Sequence, residues 1–363
     1  MLSVRIYFVW RFKNWPLRPY QHCDCTACLV QCLIFKKSFI TLTTQTQYLT
    51  AVPKLDLADF THGNEEQRQK FVQQLGNAYE DIGFIAIRNH GADSQLLANL
   101  YAQVKAFYDL PLETKLKYDD ADGGGQRGYT GFGKEHAKNS NAGDLKEFWH
   151  FGQWVEDGDE LINFYPANKH VDELPEFNVV GKDIYRALEN TGIQMLRAIA
   201  LYLNLPEHYF DDKVHNGNSI LRPIHYPPIN AEPNGSIRAG EHEDINLITL
   251  LVGASADGLE VLTRQGVYVG VTEVEDHIIV NVGDMLQRLT NDRLKSTTHR
   301  VVNPPQEQWH MPRYSIPFFM HPRPEVSLAC LESCISDENP KKYADCTAID
   351  FLNERLREIG LLK

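Results

Sequence analysis

The chain has 363 residues, 43% of them hydrophobic, and a formal net charge of −12. That length supports a substantial core in one large or two average domains. The acidic balance argues against a nucleic-acid groove or an anionic membrane as the main partner, while a locally basic pocket for a small polar or anionic ligand stays open. No run of about 18 apolar residues suggests a transmembrane helix.

Residues 1–50 stand apart from the rest. They carry six basic residues against a single acid, Asp24, together with Cys23, Cys25, Cys28 and Cys32. A thiolate metal clip would need a wider spacing than C-x-C-x2-C-x3-C. A targeting segment fits the basic, acid-poor character but lacks a small-residue cleavage site. The preferred reading is a poorly ordered extension outside the folded unit. Cys330, Cys334 and Cys346 are late and scattered, and without a secretory signal they point to a reducing, cytoplasmic setting.

The folded unit opens with "VPKLDLADF" (52–60), read as a short strand. Asn64 followed by Gln67 is a capping-box signal, and Phe71, Leu75, Tyr79 and Ile82 recur at helical spacing. "GFIAIRNHG" (83–91) reads as a strand ended by a glycine turn, followed by a helix from about Ser94 to Tyr108. "DADGGGQRGYTGFG" (120–133) is a glycine-rich loop without the Gly-Lys-Ser/Thr ending of a phosphate cradle. A long helix is expected over roughly Lys182 to Leu203, with Ile184, Leu188, Met195 and Ile199 on one face. From Ser219 to Pro322 the chain turns to short β-rich runs punctuated by Gly, Pro and Asn, the pattern of a sandwich or barrel. A last helix (Thr347 to Ile359) puts Ile349, Leu352, Leu356 and Ile359 in phase. The sum is an α+β domain built around a β barrel.

Within the β-rich part, "EHEDINLITLL" (241–251) sets His242 and Asp244 at the mouth of the most hydrophobic run. On a strand, residues i and i+2 share a face, so His242 and Asp244 converge while Glu243 points away. An imidazole and a carboxylate on one face are half of a metal site. A second histidine would complete the facial triad of non-haem Fe(II) oxygenases. His277, His299, His310 and His321 are the candidates, and spacing alone does not choose among them. In "PRYSIPFF" (312–319), Arg313 and Ser315 share a face in the same way. Such a pair binds a carboxylate through a guanidinium fork and a hydroxyl. Arg313 is therefore either exposed or matched to an anionic ligand, because a buried guanidinium without one is costly.

"HEDINLITLL", "STTHRVV" and "RYSIPFF" together resemble the isopenicillin N synthase-like family of 2-oxoglutarate-Fe(II) oxygenases. That family's pattern is His-x-Asp, fifty-odd residues, His-Arg-Val, then Arg-x-Ser; here Asp244 and His299 are 55 residues apart. "IHYPP" (224–228), "GFIAIRNHG" and "DLKEFWHFG" (144–152) are similar to the family's recurring stretches, so the resemblance covers about residues 52–325. It implies a distorted double-stranded β-helix, a jelly-roll barrel with flanking helices. It divides the chain into the leader (1–50), a helical and strand region (51–205), the Fe(II)/2-oxoglutarate core (206–325) and a C-terminal helical segment (326–363).

The resemblance makes His242, Asp244 and His299 the iron ligands. Arg313 and Ser315 become the clamp for the distal carboxylate of 2-oxoglutarate, with the Tyr226 hydroxyl on the same group. It implies a cytoplasmic, monomeric enzyme that hydroxylates, desaturates or cyclises a small molecule. Such an enzyme consumes O2 and 2-oxoglutarate, releases succinate and CO2, and in some relatives uses ascorbate. Two departures stand out: a wider loop around "PPQEQWHMP", and Ile224 where plant members often carry Asn. The same motifs serve isopenicillin N synthase-type and ethylene-forming oxidases, in which the clamp holds another carboxylate. A non-catalytic, cupin-like metal binder is the alternative of a different class, and a zinc hydrolase is disfavoured by the absence of His-Glu-x-x-His. Candidates for the substrate pocket are Arg127, Tyr129, Phe132, Phe148 and Phe318, with Arg222 facing either the barrel mouth or solvent.

Overall fold

The computed structural model describes residues 52–119, 126–135, 143–159, 161–162, 164–233, 235–253, 257–271 and 276–358. The leader, the first half of the glycine-rich loop and Ile359 lie outside these residues. The N-terminal region runs β1 (Lys54–Asp56), α1 (Leu57–Thr61), α2 (Glu65–Asp81), β2 (Phe84–Arg88), α3 (Ser94–Tyr108), α4 (Leu112–Leu116), β3 (Gly128–Thr130), β4 (Glu147–Gly152), α5 (Pro175–Tyr202) and α6 (Asp211–Val214). The barrel strands follow: β5 (Ile220–Leu221), β6 (Ile224–Tyr226), β7 (Ala239–His242), β8 (Ile248–Val252), β9 (Leu259–Leu262), β10 (Tyr268–Gly270) and β11 (Ile278–Val282). After α7 (Asp284–Leu289) come β12 (His299–Val301), β13 (Arg313–Met320) and α8 (Ala348–Glu358).

Three boundaries differ from the sequence expectation. The "VPKLDLADF" strand stops at Asp56, whose carboxylate accepts a hydrogen bond from the Ala58 backbone N–H and starts α1; an Asp placed to cap turns the chain into a helix that apolar alternation does not reveal. The long helix begins at Pro175, ahead of Lys182, because proline is well suited to a first helical position. The strand carrying His242 ends at that residue, so Asp244 sits in the turn beyond it. Two readings hold: Asn64 and Gln67 form a reciprocal capping box, and the face of Ile184, Leu188, Met195 and Ile199 is buried.

The strands form two sheets, one ordered β1-β2-β11-β8-β13-β5-β4-β3 with β6 pairing to β13 and β4, the other β10-β9-β12-β7. β8 lies mid-sheet, antiparallel to β11 and β13, which explains its near-continuous apolar run. Leu250 faces outward onto α5, where Gly192 permits close approach: a Cβ there would meet Met320 Sδ at 2.3 Å. Thr249 takes the opposite parity and pairs in register with Asn281 and Phe319. The same alternation turns Arg313, Ser315 and Phe319 of β13 inward with Tyr226 and Ile224 of β6, and sends Tyr314 and His225 outward, where their rings stack 4.9 Å apart. Between the sheets, Phe84, Ala86, Leu259, Val261, Val271 and Ile279 form one apolar cluster, and Phe148, Ile224 and Tyr226 form another.

Candidate active site

Hydrogen-bonding partners set the protonation of the two histidines. His242, at the end of β7, lies directly across the antiparallel pair from His299 at the start of β12, with ring centroids 4.3 Å apart. His242 Nδ1 lies 2.7 Å from the Gly240 carbonyl, and His299 Nδ1 lies 3.0 Å from the Thr297 carbonyl. A carbonyl only accepts, so each Nδ1 carries a proton, and in the neutral ring the lone pair is on Nε2. His299 Nε2 is 3.9 Å from Asp244 Oδ1. One ligand atom from each of His242, Asp244 and His299 lies within 4.8 Å of the others.

Asp244 is held as firmly as a strand residue although it lies in a turn. Its Oδ2 accepts from the Thr249 hydroxyl at 2.6 Å and from Asn281 Nδ2 at 2.8 Å, and its carbonyl accepts from the Asp284 N–H at 2.7 Å. Glu243 points away and takes a hydrogen bond from the Thr298 hydroxyl. Burial, with the neighbouring His299, pushes His242 down to about 4 against the pull of Asp244, so the ring is neutral. Burial raises Asp244, but His299, His242 and the donors Thr249 and Asn281 outweigh it and hold the acid ionised. Two imidazoles, each presenting Nε2, and one carboxylate, each oriented by a partner of its own, are a donor set that suits Fe(II) with coordination positions left open.

Of the other histidines, His310 is exposed and His277 neighbours His90. His321 is buried beside the triad without joining it, and burial lowers it to about 4. Arg313 is 1% exposed, which removes the solvent-facing reading of this residue. It pairs in register with Tyr226, and its guanidinium carbon lies 5.0 Å from the Tyr226 ring centroid. Ser315, also buried, stands two residues on along the same face.

Beside His242 lies a cavity of about 200 Å³ lined by Lys146, His150, Arg222, Phe319, His321 and Leu352, among others. Its wall is a buried ion-pair chain. Lys146 Nζ lies 2.6 Å from Glu135 and 2.9 Å from Asp144, Arg222 Nη1 lies 3.3 Å from Glu135, and Arg222 Nε lies 2.5 Å from His150 Nε2. Burial alone would raise Glu135, yet Lys146 and Arg222 hold it well below the carboxylate range. Asp144 also accepts from the Gly240 N–H at 3.1 Å, tying this wall to the strand that carries His242.

Arg222 therefore faces the cavity. The other pocket candidates fall elsewhere. Phe318 has outward parity and packs on Tyr185 of α5 with centroids 5.0 Å apart, leaving the pocket to Phe319. Tyr129 donates to Glu147 behind β4. Arg127 is buried against the Pro166 carbonyl, and Phe132 is 54% exposed. Phe148 backs the site from beneath the Arg222 guanidinium, 4.4 Å from its ring centroid. The sequence reading missed Glu135, Asp144, Lys146, His150, Thr249, Asn281 and Arg238. For Thr249 and Asn281 a signal was present: polar residues inside otherwise apolar strands, "NLITLL" and "HIIVNV".

A double-stranded β-helix with a His-Asp-His cluster at one end of its interior and an inward Arg-x-Ser pair defines an iron-dependent oxygenase that uses 2-oxoglutarate. Comparison with known proteins gives the same answer. Residues 52–173 match the family model described as non-haem dioxygenase in morphine synthesis N-terminal, and residues 217–322 match the 2OG-Fe(II) oxygenase superfamily. The chain belongs to that superfamily. It is 36% identical to a proline hydroxylase of Petromyces alliaceus over 320 residues, covering 84% of this chain and 98% of the relative. It is 31% identical to a 2-oxoglutarate-Fe(II) type oxidoreductase of Emericella nidulans, covering 84% and 88%. Among solved structures it is similar to a 2OG-Fe(II) oxygenase family protein of Caulobacter crescentus (40% identity, TM-score 0.78, 85% of this chain and 99% of that one). It is also similar to a full-length Neurospora crassa protein in complex with alpha-KG and thymine (30% identity, TM-score 0.75, 86% and 98%).

Proposed function

We propose that His242, Asp244 and His299 hold Fe(II), that Arg313, Ser315 and Tyr226 bind the distal carboxylate of 2-oxoglutarate, and that the enzyme hydroxylates a small polar molecule seated in the cavity beside His242. The carrying observation is the cluster of three donor atoms within 4.8 Å, with both imidazoles locked in the tautomer that frees Nε2. Fe(II) with 2-oxoglutarate supplies the oxidising power from O2, and succinate and CO2 are the co-products. The residues supply ligand geometry, orientation and a water-poor interior. Thr249 and Asn281 keep the Asp244 carboxylate charged and aimed.

The wall of the cavity supports a polar substrate. Arg222 is packed against Phe148 at 4.4 Å and Phe319 at 5.0 Å, which fixes the plane of its guanidinium. Its contacts to Glu135 and His150 run through Nη1 and Nε, which among the described residues leaves Nη2 for a substrate acceptor. One relative is named a proline hydroxylase and another is solved in complex with thymine, which supports a small polar substrate here. The free thiols Cys330, Cys334 and Cys346 support a cytoplasmic setting.

A succinate-release screen of polar metabolites with Fe(II) and 2-oxoglutarate tests the reaction, and anaerobic Fe(II) titration of wild type and His299→Ala tests the ligand set. One ion per chain, lost in the variant, is expected. Undiminished iron binding by His299→Ala would overturn the ligand assignment.

A further inference from the structure

Beside Tyr226 the interior holds a second buried arginine that the Arg-x-Ser motif does not include. Arg238 immediately precedes β7, four residues before His242, and is 1% exposed. Its guanidinium carbon is 5.9 Å from the Tyr226 ring centroid, and that of Arg313 is 5.0 Å from the same point. Its Nη2 donates to the Met311 carbonyl at 3.3 Å, just ahead of β13. Its Nε and Nη1 are buried with no hydrogen-bond partner among the described residues, and no carboxylate of those residues forms an ion pair with it.

Two guanidiniums gathered around one buried phenol, one of them with two orphaned donors, form a costly arrangement in an apolar interior. Burial and the charge of Arg313 lower Arg238 to about 10, the direction expected for a cation waiting for an anion. The cavity wall does not account for it, since Glu135 and Asp144 are already paired with Lys146. The Met311 contact spends one of its five donors on the backbone.

We propose that Arg238 is a second anion-binding arginine, placing its free Nε and Nη1 on the distal carboxylate of 2-oxoglutarate opposite Arg313. This rests on the reading of Arg313 and Ser315 as the co-substrate clamp. A carboxylate has two oxygens and about four acceptor positions, so a fork from each arginine fills them, and the Ser315 and Tyr226 hydroxyls share those positions. The site then selects a dianionic 2-oxo acid over a monoanionic one more strongly than a single arginine would.

The test compares two ligands that share the chelating 2-oxo acid and differ at the far end: 2-oxoglutarate, and 2-oxopentanoate, which ends in a methyl group. Their dissociation constants are measured anaerobically by titration into the full chain loaded with Fe(II), for wild type, Arg238→Met, Arg238→Lys and Arg313→Met. We expect Arg238→Met to weaken 2-oxoglutarate by about tenfold or more, the loss of charge-assisted bonds, and to leave 2-oxopentanoate unchanged. Arg238→Lys, which keeps the charge and loses the fork, should fall between; it also serves if the Met variant does not fold. Equal weakening of both ligands would overturn the proposal, because a residue that only holds the Met311 segment has no preference between them. No weakening of either would overturn it as well. Failure of the underlying clamp reading looks different: Arg313→Met would then leave the preference for 2-oxoglutarate over 2-oxopentanoate intact.

Discussion

The two ends of the barrel interior are built on opposite electrostatic plans. Around His242, Asp244 and His299 the protein gathers lone pairs and a carboxylate, and it spends Gly240, Thr297, Thr249 and Asn281 on aiming them. Around Tyr226 it gathers the Arg313 and Arg238 guanidiniums, both 1% exposed. Neither end is comfortable alone: converging donors repel one another, and so do clustered buried cations. A metal ion would relieve the first and an anion the second. 2-Oxoglutarate offers a chelating keto acid at one end and a carboxylate at the other, which suits a site with this polarity. The arrangement is preorganised, so little of the binding energy is spent on ordering side chains.

The sharpest break of this contrast is at the metal end. His242→Ala should abolish Fe(II) binding and turnover while 2-oxopentanoate and 2-oxoglutarate both lose their metal-dependent binding; full activity in this variant would end the triad assignment. Next in size is the anionic end. Arg313→Leu should raise the 2-oxoglutarate requirement tenfold or more, because a charge-assisted bidentate contact is worth on the order of 1.5–3 kcal/mol. Iron affinity without co-substrate should stay as in wild type, and an unchanged requirement would mean that the clamp holds something else. Smaller again is the support beneath Asp244. Thr249→Val removes one of two donors to Oδ2 and leaves Asn281 in place, so Fe(II) affinity should fall about tenfold, the lower range for losing a group that orients a ligand. Unaltered affinity in Thr249→Val would show that Asn281 alone orients the acid.

How far each end could be read from the sequence follows from the length scale of its signals. The metal end rests on local spacing. His-x-Asp announces itself within three residues, and the pattern of apolar runs already marks the barrel. His299 needed more than spacing, because choosing it over His277, His310 or His321 depends on which strands pair across the sheet, a non-local fact fixed by the His299 to His242 register. The Arg-x-Ser pair was legible because strand parity is local. The same parity, applied from Arg313, puts Phe319 and not Phe318 inward; Phe318 was taken for the pocket because chemical type was weighed before register. Arg238, Glu135 and Lys146 gave no signal and Arg222 only an undecided one, because each acquires its meaning only where separate segments meet.

The smallest expected effect tests whether Tyr226 belongs to the anionic end as a hydroxyl or only as a ring. The ring packs with Ile224 and Phe148 and lies beneath Arg313, 5.0 Å from its guanidinium carbon, and Tyr226→Phe keeps all of that. What is lost is one O–H donor to a carboxylate, about 1 kcal/mol or a little more. The dissociation constant for 2-oxoglutarate should therefore rise roughly fivefold by the same reckoning, with that for 2-oxopentanoate unchanged. The hydroxyl has a second neighbour, because Tyr226 also lies within electrostatic reach of Lys146 in the cavity wall. If the phenol instead serves Lys146, Tyr226→Phe leaves both 2-oxo acids bound as in wild type and shifts the substrate KM. The split between co-substrate affinity and substrate KM decides which of the two regions Tyr226 serves.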